Sequence, residues 1–189
     1  MIHISSSLFR RRGFFIRKGS SIMSAKALQA TAHLENVQTG IQNADRKAVA
    51  DGTARALADT YALYLKTQGF HWNVVGAHFY GLHKLTEAQY EELGDAVDVI
   101  AERIRALGFP APASFRQFSA LSQIPDSEGA KSGEAMIEEL IADHETVSRS
   151  FRELIETADA AGDAATADLL TSRLHQHEKA VWMLRALLD

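Results

Sequence analysis

The chain has 189 residues, of which 46% are apolar and 23% charged, enough for one domain with a sizeable core and an ordinary soluble balance. It contains no cysteine, which excludes disulfides and thiolate metal sites; any metal must be held by His, Asp or Glu. No apolar run approaches the length of a membrane span.

The net charge of −4 hides an asymmetry: residues 1–22 carry Arg10, Arg11, Arg12, Arg17 and Lys18 and no acid, +5 in all, which leaves −9 on the remainder. Three readings fit this Ser- and Arg-rich stretch. It is sequence upstream of a true start at Met23, or a flexible basic arm that touches nucleic acid, or a transit-type presequence. A secretory signal fits less well, because a continuous apolar core and an A-x-A site are missing. Residues 1–43 are therefore set apart as a basic, flexible N-terminal segment, of which 1–22 can be absent from the mature protein. Residues 44–189 form the domain.

Pro110, Pro112 and Pro125 are the only prolines and fall in one stretch, leaving long proline-free blocks on either side. In the first block Leu57, Tyr61, Tyr64, Leu65, Gln68, Trp72 and Val75 recur at three and four positions, a helical period, with Gly76 as the stop. A second helix is predicted from about Ala77 to Leu107, with Phe79, Leu82, Leu85, Tyr90, Leu93, Val97, Ile100 and Ile104 inside it. Ser114 and Gln117 suggest a capping box for a short helix. Ser132 can cap a third long helix striped with Met136, Ile137, Leu140, Ile141, Val147, Phe151, Leu154 and Ile155. Gly162 closes it. Asp163 can cap a fourth, which carries Leu169, Leu170, Leu174, Val181, Leu184 and Leu188. No stretch alternates like a strand. The fold class is all-α, a four-helix bundle with a short extra helix between the second and third long helices.

The stretch HWNVVGAHFYGLH, residues 71–83, begins and ends with histidine. His83 and Glu87 are spaced i,i+4, as are Asp98 and Glu102, so all four lie within a stripe of roughly 100° on one helix. The rise from Glu87 to Asp98 is about 16 Å, whereas metal bonds to nitrogen or oxygen are only about 2.0–2.2 Å. One straight helix cannot close both pairs around one ion. They meet if a second copy packs antiparallel across a two-fold axis, which also generates a second, equivalent site. His71 can then complete the nitrogen ligation. Taken singly, each acid is more simply a solvated helix residue and each histidine a hydrogen-bonded one; the whole string is what points to a metal centre.

HWNVVGAHFYGLH, followed by Glu87 and DVIAERI at 98–104, resembles the signature of the Dps proteins, the mini-ferritins that protect DNA in starved bacteria. The resemblance spans most of residues 44–188. It implies a ferritin-like bundle, a hollow homo-dodecamer, and an inter-subunit ferroxidase centre, di-iron or mono-iron, with His71, His83, Asp98 and Glu102 as ligands. Where the family often has Asp, this chain has Glu87, an oxygen ligand with one more methylene. The implied activity is oxidation of Fe(II), preferentially by hydrogen peroxide, with storage of ferric mineral. The implied location is the bacterial cytoplasm or nucleoid, with no membrane association. Trp72 is most simply a packing residue; its sharper reading is a trap for stray oxidising equivalents.

Three rivals differ in kind. A classical ferritin holds two irons inside one bundle through Glu-x-x-His motifs, and none of the eight histidines has Glu three positions before it. A DNA-compacting protein with little oxidase activity needs Lys and Arg against phosphates, and here Arg10, Arg11, Arg12, Arg17 and Lys18 are the candidates for non-specific contact. A purely structural oligomer needs no His/carboxylate string. His144, His175 and His177 remain unassigned; the last two, at i,i+2, point to different sides of a helix. Residues 157–168 resemble the family's three-fold pore, with Asp159, Asp163 and Asp168 as candidates to draw in Fe(II). The alternative is that Asp163 caps the fourth helix and the other two are solvated.

Overall fold

The computed structural model describes residues 37–189. It contains five helices in the order α1 (Asn43–Asn73), α2 (Phe79–Ala106), α3 (Phe115–Leu121), α4 (Gly133–Ala160) and α5 (Ala164–Arg185), with no strand among the described residues. α1 packs along α2, α4 packs along α5, and α1 joins the two hairpins through α4. The short α3 lies against α1. This is the four-helix bundle with one extra short helix. Among the described residues no helix is long and apolar enough to cross a membrane.

The caps chosen from sequence form. Ser114 accepts from the Gln117 N–H, Ser132 from the Ala135 N–H and Asp163 from the Thr166 N–H, each satisfying an otherwise orphaned donor of the first turn. Gly76 (φ 86°) and Gly162 (φ 69°) turn the chain between α1 and α2 and between α4 and α5 in the left-handed region that glycine enters without strain.

The core face of α1 differs from the predicted stripe. Of Leu57, Tyr61, Tyr64, Leu65, Gln68, Trp72 and Val75, only Leu57 is buried, while Leu65, Trp72 and Val75 are exposed. The buried face instead repeats in sevens: Val49, Ala56, Leu63 and Phe70, with Thr53, Thr60 and Thr67 beside them. The reason is local. Each threonine hydroxyl donates to the carbonyl one turn back, on Val49, Ala56 and Leu63. A polar residue satisfied within its own helix can be buried as if apolar. The larger apolar groups of α1 are left to line a surface groove of about 740 Å³ with Phe115 and Phe118 of α3.

The main core runs from Ala56, Leu63 and Phe70 of α1 through Leu82 and Leu93 of α2 to Ile137, Leu140, Val147 and Phe151 of α4 and Leu170 and Leu184 of α5. Besides the exposed pairs Arg152–Glu178 and Arg185–Glu145 between α4 and α5, three less exposed ion pairs bridge helices. Lys66 and Asp143, both about 5% exposed, meet at 2.5 Å between α1 and α4. Arg103 reaches Asp163 at 2.7 Å, and Arg173 holds Glu92. Removing one partner of the buried Lys66–Asp143 pair leaves the other charge buried and costs several kcal/mol, roughly 3–5.

Candidate metal centre

The turn between α1 and α2 brings the two ends of the 71–83 stretch together. His71 sits in the last turn of α1 and is 8% exposed; His83 sits in the second turn of α2 and is half-buried. Their rings stack with centroids 3.9 Å apart and planes inclined by 17°. The Nδ1–H of His71 donates to the His83 carbonyl oxygen at 2.9 Å, and the Nδ1–H of His83 donates to the His71 carbonyl oxygen at 2.9 Å. A carbonyl only accepts, so each Nδ1 must carry the proton. In the neutral tautomer that these bonds select, the bare lone pair is on Nε2, the form a metal ion needs. Phe79 stacks on His83 at 5.2 Å, and Tyr90 meets His71 edge-on at 5.2 Å.

Glu87 follows one turn after His83 on α2. A hydrogen bond from Lys84, at 2.5 Å, holds its pKa below the usual carboxylate range; desolvation opposes this, and the charge of Lys84, joined by His71 and His83 when they are protonated, reinforces it. Glu87 is thus an anion one turn on from the imidazole pair. Burial, with the nearby carboxylates of Glu91 and Glu87, pushes the Tyr90 phenol up.

Asp98 and Glu102 lie farther along the same unbroken α2, both exposed. The helix is continuous between them and Glu87, so the gap of about 16 Å stands. Among the described residues, no three His, Asp or Glu side chains of one protomer converge on a point that can hold a metal. The structure brings together His71 and His83, sets Glu87 one turn further along α2 with its carboxylate on Lys84, and leaves Asp98 and Glu102 apart from them.

The remaining candidates divide. Trp72 is 64% exposed, so within one protomer it does not pack as the simpler reading expected. Asp163 is 2% exposed and its carboxylate is used up: it caps α5, accepts from the Thr166 hydroxyl and pairs with Arg103. Burial acts to raise its pKa, but the Arg103 and Thr166 hydrogen bonds outweigh this and hold it low. The capping alternative is therefore the one Asp163 takes, and it does not present its carboxylate to solvent. Asp159 and Asp168 are exposed. Arg10, Arg11, Arg12, Arg17 and Lys18 lie outside the described residues.

Sequence reasoning missed Tyr90 as a neighbour of His71, and Lys84. Tyr90 stands seven positions after His83, two helical turns on the same face, which is the signal that could have found it. It also missed a second imidazole pair. His144 and His177, 2% and 1% exposed, share a hydrogen bond between their Nδ1 atoms at 2.9 Å. His175 is exposed, on the other side of α5.

Residues 51–189 match the ferritin-like domain family. A low temperature-induced protein of Nostoc sp. is 35% identical over 158 residues, 82% of this chain and 88% of its own. DNA protection during starvation protein 2 of Bacillus anthracis is 34% identical over 143 residues, 76% of this chain and 98% of its own. Among solved structures, the Dps protein of Vibrio cholerae O1, a member of a broad superfamily of ferritin-like diiron-carboxylate proteins, superposes with a TM-score of 0.77 at 28% identity, over 82% of this chain and 98% of that one. With these likenesses covering most of the helical bundle, the chain belongs to the Dps proteins of the ferritin-like family.

Proposed function

We propose that this protein oxidises Fe(II) at a centre shared between two subunits and stores the ferric product. The observation that carries this reading is the reciprocal His71–His83 lock. Two imidazoles are pinned by carbonyls through Nδ1, which leaves Nε2 as the nitrogen open to a metal, with an ionised Glu87 one turn on, and among the described residues no three such side chains of one protomer form a metal-holding group. Two pinned nitrogens, with Glu87 one turn on and Asp98 and Glu102 exposed on the same helix, suit completion by an antiparallel second copy. Iron is here the substrate. Nitrogen and oxygen donors without thiolate fit both Fe(II) and Fe(III).

Two ferrous ions held side by side supply the two electrons that hydrogen peroxide takes to become two hydroxide ions. The pairing keeps reduction from stopping at the hydroxyl radical. The assembly is a homo-oligomer, a dodecamer by family likeness, in the bacterial cytoplasm or nucleoid. Asp159 and Asp168 are the carboxylates left to attract Fe(II) at a three-fold pore.

Protection of DNA is in the names of relatives such as that of Bacillus anthracis. For this chain, direct contact falls to the basic residues Arg10, Arg11, Arg12, Arg17 and Lys18 within the N-terminal segment 1–43, repeated over every subunit. Binding then falls steeply with salt, and a chain starting at Met23 loses most of it while keeping iron oxidation. The test of the main reading is iron oxidation by the sized oligomer, with peroxide against oxygen as oxidant. Faster consumption of ferrous ion with peroxide, at two iron per peroxide, is expected. An oligomer that compacts DNA and oxidises no iron would leave the DNA-compacting alternative standing.

A further inference from the structure

From the ring geometry around His71 we infer that Tyr90, Tyr64 and Tyr61 form a relay that carries a one-electron oxidising equivalent away from the metal site. The inference rests on the ferroxidase reading above. α1 and α2 run antiparallel in a register that sets His71 against His83 and, seven positions away on each helix, Tyr64 against Tyr90. The rings follow in sequence. Tyr90 meets His71 at 5.2 Å, Tyr64 meets Tyr90 at 6.3 Å, and Tyr61 meets Tyr64 at 6.0 Å. Edge and tilted contacts of this length are ordinary aromatic packing, so no gap interrupts the row. The next opposed pair in the register, Leu57 and Val97, is aliphatic. Beyond Tyr61 the row continues only into Phe118, stacked at 4.6 Å, and Phe115 at 6.2 Å. Phenylalanine is far harder to oxidise than a phenol, so the relay ends at Tyr61.

The fourth tyrosine, Tyr80, is 74% exposed and off the row. Trp72, although next to His71 in sequence, makes no ring contact among the described residues. The oxidising equivalent therefore has a contact path through the tyrosines and none through Trp72.

The chemistry balances. When peroxide meets a site holding one ferrous ion, that ion supplies one electron, giving ferric ion, hydroxide and a hydroxyl radical. The radical takes a hydrogen atom from the Tyr90 phenol, giving water and a Tyr90 phenoxyl radical. Tyr64 then passes an electron to Tyr90, which takes a proton from water, while the Tyr64 phenol releases its own proton to water. Tyr61 does the same for Tyr64. All three tyrosines are half-buried, so their hydroxyls exchange protons with solvent. A soluble thiol returns a hydrogen atom to Tyr61 and closes the cycle.

The test gives the intact oligomer one Fe(II) per protomer and limiting peroxide, without thiol. The tyrosyl radical is followed by freeze-quench electron paramagnetic resonance, and oxidation product at each tyrosine is counted by mass spectrometry. In the unaltered protein, product is expected mainly at Tyr61, with little at Tyr80. In Tyr64→Phe, product at Tyr61 should fall several-fold and product at Tyr90 should rise, while the rate of iron oxidation is unchanged. Tyr61→Phe should move product back to Tyr64 and Tyr90. Iron oxidation with the Tyr61 product unaffected by Tyr64→Phe, or with Tyr80 oxidised as much as Tyr61, overturns the relay alone. Failure of the unaltered protein to oxidise iron overturns the ferroxidase reading and the relay with it.

Discussion

Two histidine pairs sit in this bundle, and their surroundings give them opposite chemistry. His71 and His83 each donate Nδ1–H to a backbone carbonyl, which leaves Nε2 as the nitrogen open to a metal, with Glu87 one turn on. His144 and His177 use their Nδ1 atoms on each other, so one ring donates, the other accepts, and their Nε2 atoms are buried without a partner among the described residues. The charge nearby is also opposite. Burial first, then the Arg173 guanidinium, pushes the His144 pKa down to about 3; burial, His144 and Arg173 push His177 down as well. A cation is unwelcome at the inner pair and suited to the outer one. Proximity of two imidazoles thus says little; what each Nδ1 bonds to and which charges face the ring decide the role.

The sharpest way to break this contrast is to remove one histidine from each pair. His83→Ala should slow peroxide-driven iron oxidation by at least about 10–100-fold, the loss typical even for partners outside the ligand sphere. Its effect on thermal stability should be modest, since His83 is only half-buried. His144→Ala should do the reverse. It leaves a cavity and strands the His177 Nδ1, which together cost about 2–4 kcal/mol, with the oxidation rate per folded subunit unchanged. Melting curves and stopped-flow oxidation on both variants check this; equal activity loss in the two would erase the contrast.

Acid provides the next test. An unfolded histidine titrates near pH 6.5, whereas the folded inner pair resists protonation far below that. The stability this pair contributes is complete above about pH 6.5 and is lost as the pH falls toward 3, at up to about 1.4 kcal/mol per pH unit per histidine. Asp59 and Asp143 oppose the trend. Burial raises their pKa values despite hydrogen bonds from Ser122 and Gln123 and from Lys66, so they favour the folded state as the pH falls toward the carboxylate range. The denaturation midpoint should drop between pH 7 and 5, and a His144→Leu, His177→Leu double variant should show a shallower drop. Identical slopes would contradict the neutral buried pair.

The smallest effect belongs to Lys84→Ala. The Lys84–Glu87 pair is solvent-facing, so stability should barely change. The Glu87 pKa should rise toward its ordinary value, and the acid limb of the iron oxidation profile should move to slightly higher pH. An unmoved acid limb would mean Glu87 takes no part at the site.

The helices and their caps were legible from sequence because proline, glycine, serine and aspartate punctuate locally. The outer histidine pair was legible too, since a short turn between two helices must return residue 83 to residue 71. The core face of α1 was not, because Thr53, Thr60 and Thr67 read as polar until their hydroxyls are seen bonded to their own helix. The buried Asp163 was only half legible. Its cap follows from local sequence, but its partner Arg103 arrives from α2. His144 and His177 are distant in the chain and meet only through the packing of α4 on α5. The separation of Asp98 and Glu102 from the histidines was predictable from helix rise alone, and it is the reason the proposed centre calls for a second subunit.

That need for a second subunit is most directly tested by mixing. His83→Ala and Asp98→Asn oligomers, each slow alone, are dissociated, combined and reassembled, and mixed assemblies are verified by native mass spectrometry. In a dimer of one variant with the other, one shared site has lost both groups and its symmetry mate keeps every ligand. Peroxide-driven iron oxidation should therefore recover in the mixture, in proportion to the mixed dimers formed. Verified mixed oligomers that oxidise iron no faster than either variant alone would show that His83 and Asp98 do not meet across subunits.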